Sequence, residues 1–136
     1  MKTRKVDVAV IGSGSAGLNA RRQVVKEGRS VVMIESGPYG TLCARVGCMP
    51  SKLLIAAAEA AHDVAGAGRF GIRVPEGVRV DGPAVLARVR SERDRFVGFV
   101  VRDTEAIPES QRLRGRARFV GPATLEVTPV EGAAGE

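Results

Sequence analysis

The hexapeptide Gly12-Ser13-Gly14-Ser15-Ala16-Gly17 constrains the fold more than any other stretch, because it fits G-x-G-x-x-G and follows directly on the β-branched run Val6 to Ile11. That run has the composition of a buried parallel strand, and Ser15 to Lys26 reads as a helix closed by Gly28. Ser30 to Glu35 supplies a second apolar strand. Strand, helix and strand in this order must cross over right-handed, which makes half of a nucleotide-binding sheet. Within it each glycine has its own task. Gly12 permits the tight turn, Gly14 lets a pyrophosphate approach the backbone, and Gly17 lets helix and strand pack closely. Free N–H groups at the helix start, carrying about half a positive charge, hold the phosphates. Glu35, at the end of the second strand, accepts hydrogen bonds from ribose hydroxyls, and an acid there disfavours a 2′-phosphate. A glycine-rich turn of purely structural use is the alternative. The strand before it, the helix after it and the acid in place favour dinucleotide binding.

Downstream, Ser36 to Gly47 is rich in glycine and punctuated by Pro38, as a loop would be, and Pro50 to Ala65 reads as an Ala-rich helix. A short strand is expected at Phe70 to Val74, then a turn around Pro75 and Gly77. A second long helix starts near Pro83, a favourable first helical position after Asp81 and Gly82, and Pro108 ends it. Its apolar stripe of Leu86, Val89, Phe96, Val97 and Val100, with Arg88, Glu92 and Arg95 on other faces, marks a packing helix. Leu113 to Val120 and Thr124 to Thr128 flank Gly121-Pro122 and predict a hairpin. The expected class is therefore α/β, a partial Rossmann-like domain over residues 1–128 with a parallel sheet, crossover helices and a C-terminal β-hairpin. Residues 129–136 read as a disordered tail.

Composition narrows the choice of partner. The chain has 136 residues, 44% of them hydrophobic and 26% charged, which suits one soluble domain able to bury a core. Lys2, Arg4 and Lys5 precede an apolar run as in a secretory signal, but the run is short and Asp7 interrupts it. No stretch approaches the roughly 18 to 20 apolar residues needed to cross a bilayer. A soluble, cytoplasmic protein without a membrane partner is expected. The net charge of +6 would suit a nucleic-acid binder. However, the arginines from Arg69 to Arg118 are interleaved with Glu76, Asp81, Glu92, Asp94, Asp103, Glu105 and Glu109. Four Phe, one Tyr and no Trp make a poor stacking surface, so a solvated mixed-charge face is the reading and no nucleic acid is expected.

Cys43 and Cys48 are the only cysteines and His62 is the only histidine, so a Cys₂His₂ or Cys₄ zinc site cannot be assembled and no metal is expected. His62, well inside the Ala-rich helix, reads as a surface or packing residue. A structural disulfide is disfavoured in a cytosolic protein, which leaves a redox pair or two inert thiols. In a regular α-helix, residues five apart have Cα atoms about 8.6 Å apart, beyond the ~7 Å that a disulfide tolerates. The segment must therefore be non-helical or distorted when oxidised, and Gly47 gives it that freedom. Cys48 falls just ahead of Met49-Pro50, where a helix would begin, and helix N-termini lower thiol pKa values, so Cys48 is the better candidate for a thiolate. Lys52, one turn on, is either a cation for a buried acid or an electron-rich flavin, or an ordinary exposed helix lysine.

The stretch Tyr39-Gly40-Thr41-Leu42-Cys43-Ala44-Arg45-Val46-Gly47-Cys48-Met49-Pro50-Ser51-Lys52 resembles the redox signature of the class I pyridine nucleotide-disulfide oxidoreductases, which include dihydrolipoyl dehydrogenase, glutathione reductase and mercuric reductase. It is far more specific than the glycine motif. Gly115-Arg116-Ala117-Arg118-Phe119-Val120 resembles a further family segment whose backbone borders the FAD adenine, so the likeness runs through nearly the whole chain as the family's N-terminal FAD-binding part. The resemblance implies that Gly12, Gly14, Ser15, Ala16, Gly17 and Glu35 bind the ADP half of FAD. It places Ser36, Gly40, Thr41, Leu42 and Cys43 in the cofactor site, Lys52 close to the flavin ring, and Ala117 against adenine through its backbone. Cys48 would be the thiolate facing the flavin, and Cys43, nearer the substrate, would exchange with it. The implied chemistry is a two-electron relay between a dithiol substrate, the Cys43-Cys48 disulfide, FAD and NAD.

Leu42 stands where many members carry a threonine, and Thr41 beside it offers a replacement hydroxyl. The family's chain is several times longer. Its NAD-binding and dimerisation domains, and the His/Glu acid-base pair, are expected outside these residues, so this chain by itself is expected to be inactive and the full-length protein a homodimer. Cys-Ala-Arg-Val-Gly-Cys-Met-Pro-Ser-Lys-Leu-Leu ahead of an Ala-rich helix resembles bacterial dihydrolipoyl dehydrogenase-like sequences most, which makes a lipoyl group the expected substrate. The alternatives are a glutathione or mercuric reductase-type enzyme, or a truncated, non-catalytic FAD-binding module.

Overall fold

The computed structural model describes residues 3–130. It divides into two compact units, one from Met1–Thr41 with Gly98–Glu136 and the other from Leu42–Val97.

The first unit is built on a four-stranded sheet in the order β1-β2-β3-β4. β1 (Val8–Ile11) is followed by α1 (Ser15–Lys26) and then by β2 (Val31–Glu35), which runs parallel to β1 with Val8 opposite Val31 and Ile11 opposite Ile34. This is the crossover unit that the glycine motif predicts. Gly28, at φ 68°, takes the left-handed conformation that ends α1, and its N–H donates to the Val25 carbonyl. β2 is the centre of the core, with Val31, Val32, Met33 and Ile34 all 5% exposed or less. Burial on both faces explains why its sequence is apolar without alternation, and each such side chain contributes about 1.5–3 kcal/mol. At the far end of the pair, Asp7 ties β1 to β2, its carboxylate accepting from the Ser30 hydroxyl at 2.6 Å and the Ser30 N–H at 2.8 Å.

β3 (Arg112–Gly121) has two partners. Its first residues pair parallel with β2, Glu35 opposite Arg114, and the remainder pairs antiparallel with β4 (Thr124–Pro129). The hairpin is the expected one, turning at Gly121 and Thr124 with a register shift after Phe119. The parallel pairing to β2 was not foreseen. Pro129 corrects the expected tail, because it closes β4 opposite Gly115, while residues 131–136 lie outside the described residues.

The second unit holds α2 (Leu42–Arg45), α3 (Cys48–Gly66) and most of α4 (Gly82–Glu105), which continues into the first unit. Asp81 caps α4, its carboxylate accepting from the Ala84 N–H at 2.9 Å. Within this unit Arg88 of α4 donates to the Leu53 carbonyl of α3 at 2.7 Å. Of the expected stripe, Val89 is buried but Leu86 is 45% exposed. The strand expected at Phe70 to Val74 is absent. Ala67–Phe70 form a 3₁₀ turn instead, Gly71 follows at φ 74°, and the Ile72 N–H returns to the Ala67 carbonyl. An apolar run of that length becomes a strand only beside a strand edge, and this unit contains no strand among its described residues. Several interleaved arginines are paired with acids, Arg95 with Glu92 and Arg93 with Asp94, both at 2.7 Å. No helix among the described residues is long and apolar enough to cross a membrane.

Candidate functional site

In the first unit the chain turns sharply between β1 and α1. Gly12 sits at φ 101°, a conformation open to glycine, and its N–H donates to the Ile34 carbonyl of β2 at 2.8 Å. Gly17 lies so close below the turn that a Cβ there would stand 2.0 Å from the Gly12 carbonyl oxygen. A Cβ on Gly14, in contrast, would meet nothing within 4 Å. Gly14 is the N-cap of α1 and offers no side-chain cap, and Ser15 and Ala16, the first two residues of the helix, are exposed. Open space over an uncapped helix start fits the pyrophosphate of a dinucleotide.

Glu35 reaches this turn. Its carboxylate accepts from the Ser13 N–H at 2.7 Å, the Ser13 hydroxyl at 2.9 Å and the Gly37 N–H at 2.6 Å. Burial raises the affinity of Glu35 for a proton, but the hydrogen bonds from Ser13, Gly37 and Ser36 together outweigh it and hold the carboxyl below its usual range. Glu35 is thus an anion beside the glycine turn, suited to a ribose diol. Ser36 follows it, exposed, while Gly40 is buried at φ 114° and Thr41 takes φ 55°, the one left-handed non-glycine among the described residues. Ala117 lies on β3 opposite Val127 of the hairpin, past the stretch that pairs with β2.

Three residues of this unit were missed as site candidates. Ser13 is one, although the first variable position of the motif directly precedes Gly14 and faces the acid at the end of β2. The others are Tyr39, buried, and Arg114, whose guanidinium stacks 4.6 Å from the Tyr39 ring centre and donates to the Gly37 carbonyl. Their signal was weak, because only the unforeseen β2–β3 pairing brings Arg114 beside Glu35.

The second unit carries the cysteines. The segment expected to be loop forms the single turn α2, and a break at Val46 and Gly47 precedes α3, which starts at Cys48. Gly47 has φ −117° and ψ −113°, and a Cβ there would lie 3.2 Å from the Leu42 carbonyl and 3.4 Å from the Cys43 Cα. The chain is therefore not continuously helical between the two cysteines, and Gly47 lies close against Leu42 and Cys43. Both cysteines are free thiols, and their side chains are hydrogen-bonded to each other. That bond is the chief reason the Cys43 thiol is pushed above its usual range. Partial desolvation and the charge of Cys48 add to it, while the Cys48 N–H and the Lys52 cation pull the other way. The hydrogen bond to Cys48 and the field of Lys52 both act on the Cys43 thiol. Lys52 itself is exposed, and Leu42 is 77% exposed. His62 is exposed on α3, and no group of three metal-ligating side chains occurs among the described residues.

The family model described as pyridine nucleotide-disulphide oxidoreductase matches residues 6–118. A mercuric reductase from Streptomyces lividans is 40% identical over 93% of this chain and 27% of its own length. A dihydrolipoyl dehydrogenase from Thermus scotoductus is 35% identical over 93% of this chain and 26% of its own length. Among solved structures, the Cu(II) complex of the HOCl-induced flavoprotein disulfide reductase RclA from Escherichia coli superposes with a TM-score of 0.61. It covers 96% of this chain and 26% of its own, at 24% identity, a likeness of fold. The chain spans about a quarter of the length of these curated relatives. With a family match over most of its residues, a glycine turn open to a dinucleotide and two thiols in contact at a helix start, the chain belongs to the pyridine nucleotide-disulphide oxidoreductase family.

Proposed function

We propose that this chain is the FAD-binding, disulfide-exchanging part of a dihydrolipoyl dehydrogenase-like enzyme that uses NAD, works on a lipoyl dithiol and acts as a cytoplasmic homodimer. The observation that carries the reading is the contact between the Cys43 and Cys48 thiols at the start of α3. Starting from the Cys43-Cys48 disulfide, one substrate thiolate attacks the Cys43 sulfur, the protein S–S bond breaks and Cys48 leaves as a thiolate. The second substrate thiolate then attacks the substrate sulfur of the mixed disulfide, so the substrate departs as a disulfide and Cys43 leaves as a thiolate that takes up one of the protons released when the substrate thiols ionised. Two electrons have passed from the substrate to the cysteine pair. The start of α3 favours negative charge on Cys48 as it leaves. Bound FAD would supply a two-electron acceptor for the reduced cysteine pair, with NAD as the onward carrier. In the first unit Gly12, Gly14, Ser15, Ala16, Gly17 and Glu35 would hold the ADP half of FAD, together with Ser36, Gly40, Thr41 and the backbone of Ala117, and in the second unit Leu42 and Lys52 are the residues assigned to the cofactor.

The identity to a mercuric reductase favours a second reading, in which the same thiol pair serves Hg(II). Turnover by the full-length, flavin-loaded protein decides between them. The proposal expects NAD⁺ reduction with dihydrolipoamide, lost in Cys43→Ser. NADPH oxidation that requires Hg(II), without dihydrolipoamide activity, would select the second reading. Dihydrolipoamide turnover that survives Cys43→Ser would contradict both.

A further inference from the structure

The donors around Glu35 are unequal in kind. The N–H groups of Ser13 and Gly37 are backbone, and almost any residue at those positions would supply them. The Ser13 hydroxyl, 2.9 Å from the carboxylate, is the one donor that a side chain provides. Ser13 is 2% exposed, so the hydroxyl is shut away from water and its hydrogen bond goes to Glu35. A buried hydroxyl without an acceptor is costly, and one bonded to a carboxylate is among the stronger neutral-to-ion contacts. Ser13 and Gly37 engage the two carboxylate oxygens separately, Oε2 and Oε1, which fixes both the position and the plane of the group. The turn itself is anchored to β2 by the Gly12 N–H on the Ile34 carbonyl, so Ser13 links a rigid turn to a rigid strand end.

We propose that Ser13 is a positioning residue that aims the Glu35 carboxylate at the adenosine ribose of the bound dinucleotide. The assignment rests on the reading of Glu35 as the ribose acceptor. The surroundings leave Ser13 this part. On β3 the facing residue Arg114 is turned to the Gly37 carbonyl and the Tyr39 ring, and the first turn of α1 contains no acid. Hydrogen bonds from Ser13, Gly37 and Ser36 lower the proton affinity of Glu35 against the effect of its burial. Since those bonds keep Glu35 ionised, removing one raises its pKa, and its ability to receive the diol is then lost at a higher pH as the solution is acidified.

The test follows FAD uptake by fluorescence quenching across pH in the full-length apoprotein, and its displacement by ADP or by 2′,3′-dideoxy-ADP. In Ser13→Ala, FAD affinity at neutral pH should fall about tenfold, the loss expected for a hydrogen bond to a charged group. The acid limb of the pH profile should move to higher pH. Preference for ADP over its dideoxy analogue should shrink, which a merely structural loss would not cause because both ligands would weaken alike. Ser13→Gly removes the same hydroxyl with a smaller residue and should reproduce all three effects. In a Glu35→Gln background, Ser13→Ala should move neither the profile nor the preference. Unchanged diol preference and pH profile in Ser13→Ala and Ser13→Gly, in a protein that does bind FAD, would overturn the assignment and leave the functional reading intact. A wild-type protein that binds neither FAD nor ADP would overturn the functional reading and this assignment with it.

Discussion

Gly14 and Gly17 differ in what surrounds them, and the difference separates binding from folding. A Cβ at Gly14 would enter open space, and its φ of −70° is available to any residue. Gly14→Val should therefore leave the thermal midpoint of the apoprotein nearly unchanged while abolishing bound flavin in the full-length protein, because the side chain stands where a pyrophosphate must approach. Gly17→Ala drives a methyl into the Gly12 carbonyl and should cost about 1–3 kcal/mol or more in a denaturation experiment even without cofactor. A Gly14→Val protein that stays yellow at normal stoichiometry, or a Gly17→Ala protein of undiminished stability, would contradict these roles. Both glycines could be read from the sequence, since spacing alone distinguishes them. Ser13 could not, because a serine in a glycine-rich turn carries no local sign that its hydroxyl is buried against an acid on the next strand. Thr41 at φ 55° is similar. Nothing in its type announces a left-handed backbone, a conformation that β-branched residues rarely adopt.

At the level of elements, periodicity and punctuation located β1, α1, β2, α3, α4 and the hairpin, because each has an apolar run bounded by Gly, Pro or a capping residue. Two features escaped. The run Phe70 to Val74 has strand composition, but composition does not reveal whether a neighbouring edge exists, and Gly71 in the left-handed region turns the chain instead. β3 looked like one arm of a hairpin because its pairing with β2 involves only Arg112, Leu113 and Arg114, too few residues to leave a pattern. The switch from a parallel to an antiparallel partner falls at Gly115. A Cβ there would stand 2.6 Å from Val127 Cγ1 and 2.7 Å from the Thr128 carbonyl oxygen. Gly115→Ala should thus force β4 outward and lower stability by about 1–3 kcal/mol, measured as a shift of the urea midpoint at constant slope. An unchanged midpoint would mean that the hairpin is not packed as closely as β3 and β4 indicate.

For the whole molecule, the residues proposed for the site divide between the two units: the glycine turn, Glu35 and Ala117 belong to one, and Leu42, Cys43, Cys48 and Lys52 to the other. The sequence made the cysteine pair legible through its spacing and through Gly47, and the structure adds the contact between the thiols that sets them apart chemically. The assignment of Cys48 as the thiolate and Cys43 as the exchanging thiol is the central claim. Its most direct test is the visible spectrum of the full-length, flavin-loaded protein as each cysteine is replaced. A thiolate beside oxidised flavin gives a long-wavelength charge-transfer band. Cys43→Ser should show that band without any reduction, and Cys48→Ser should show none at any pH. A band that persists in Cys48→Ser and is missing from Cys43→Ser would contradict the account and reverse the two roles.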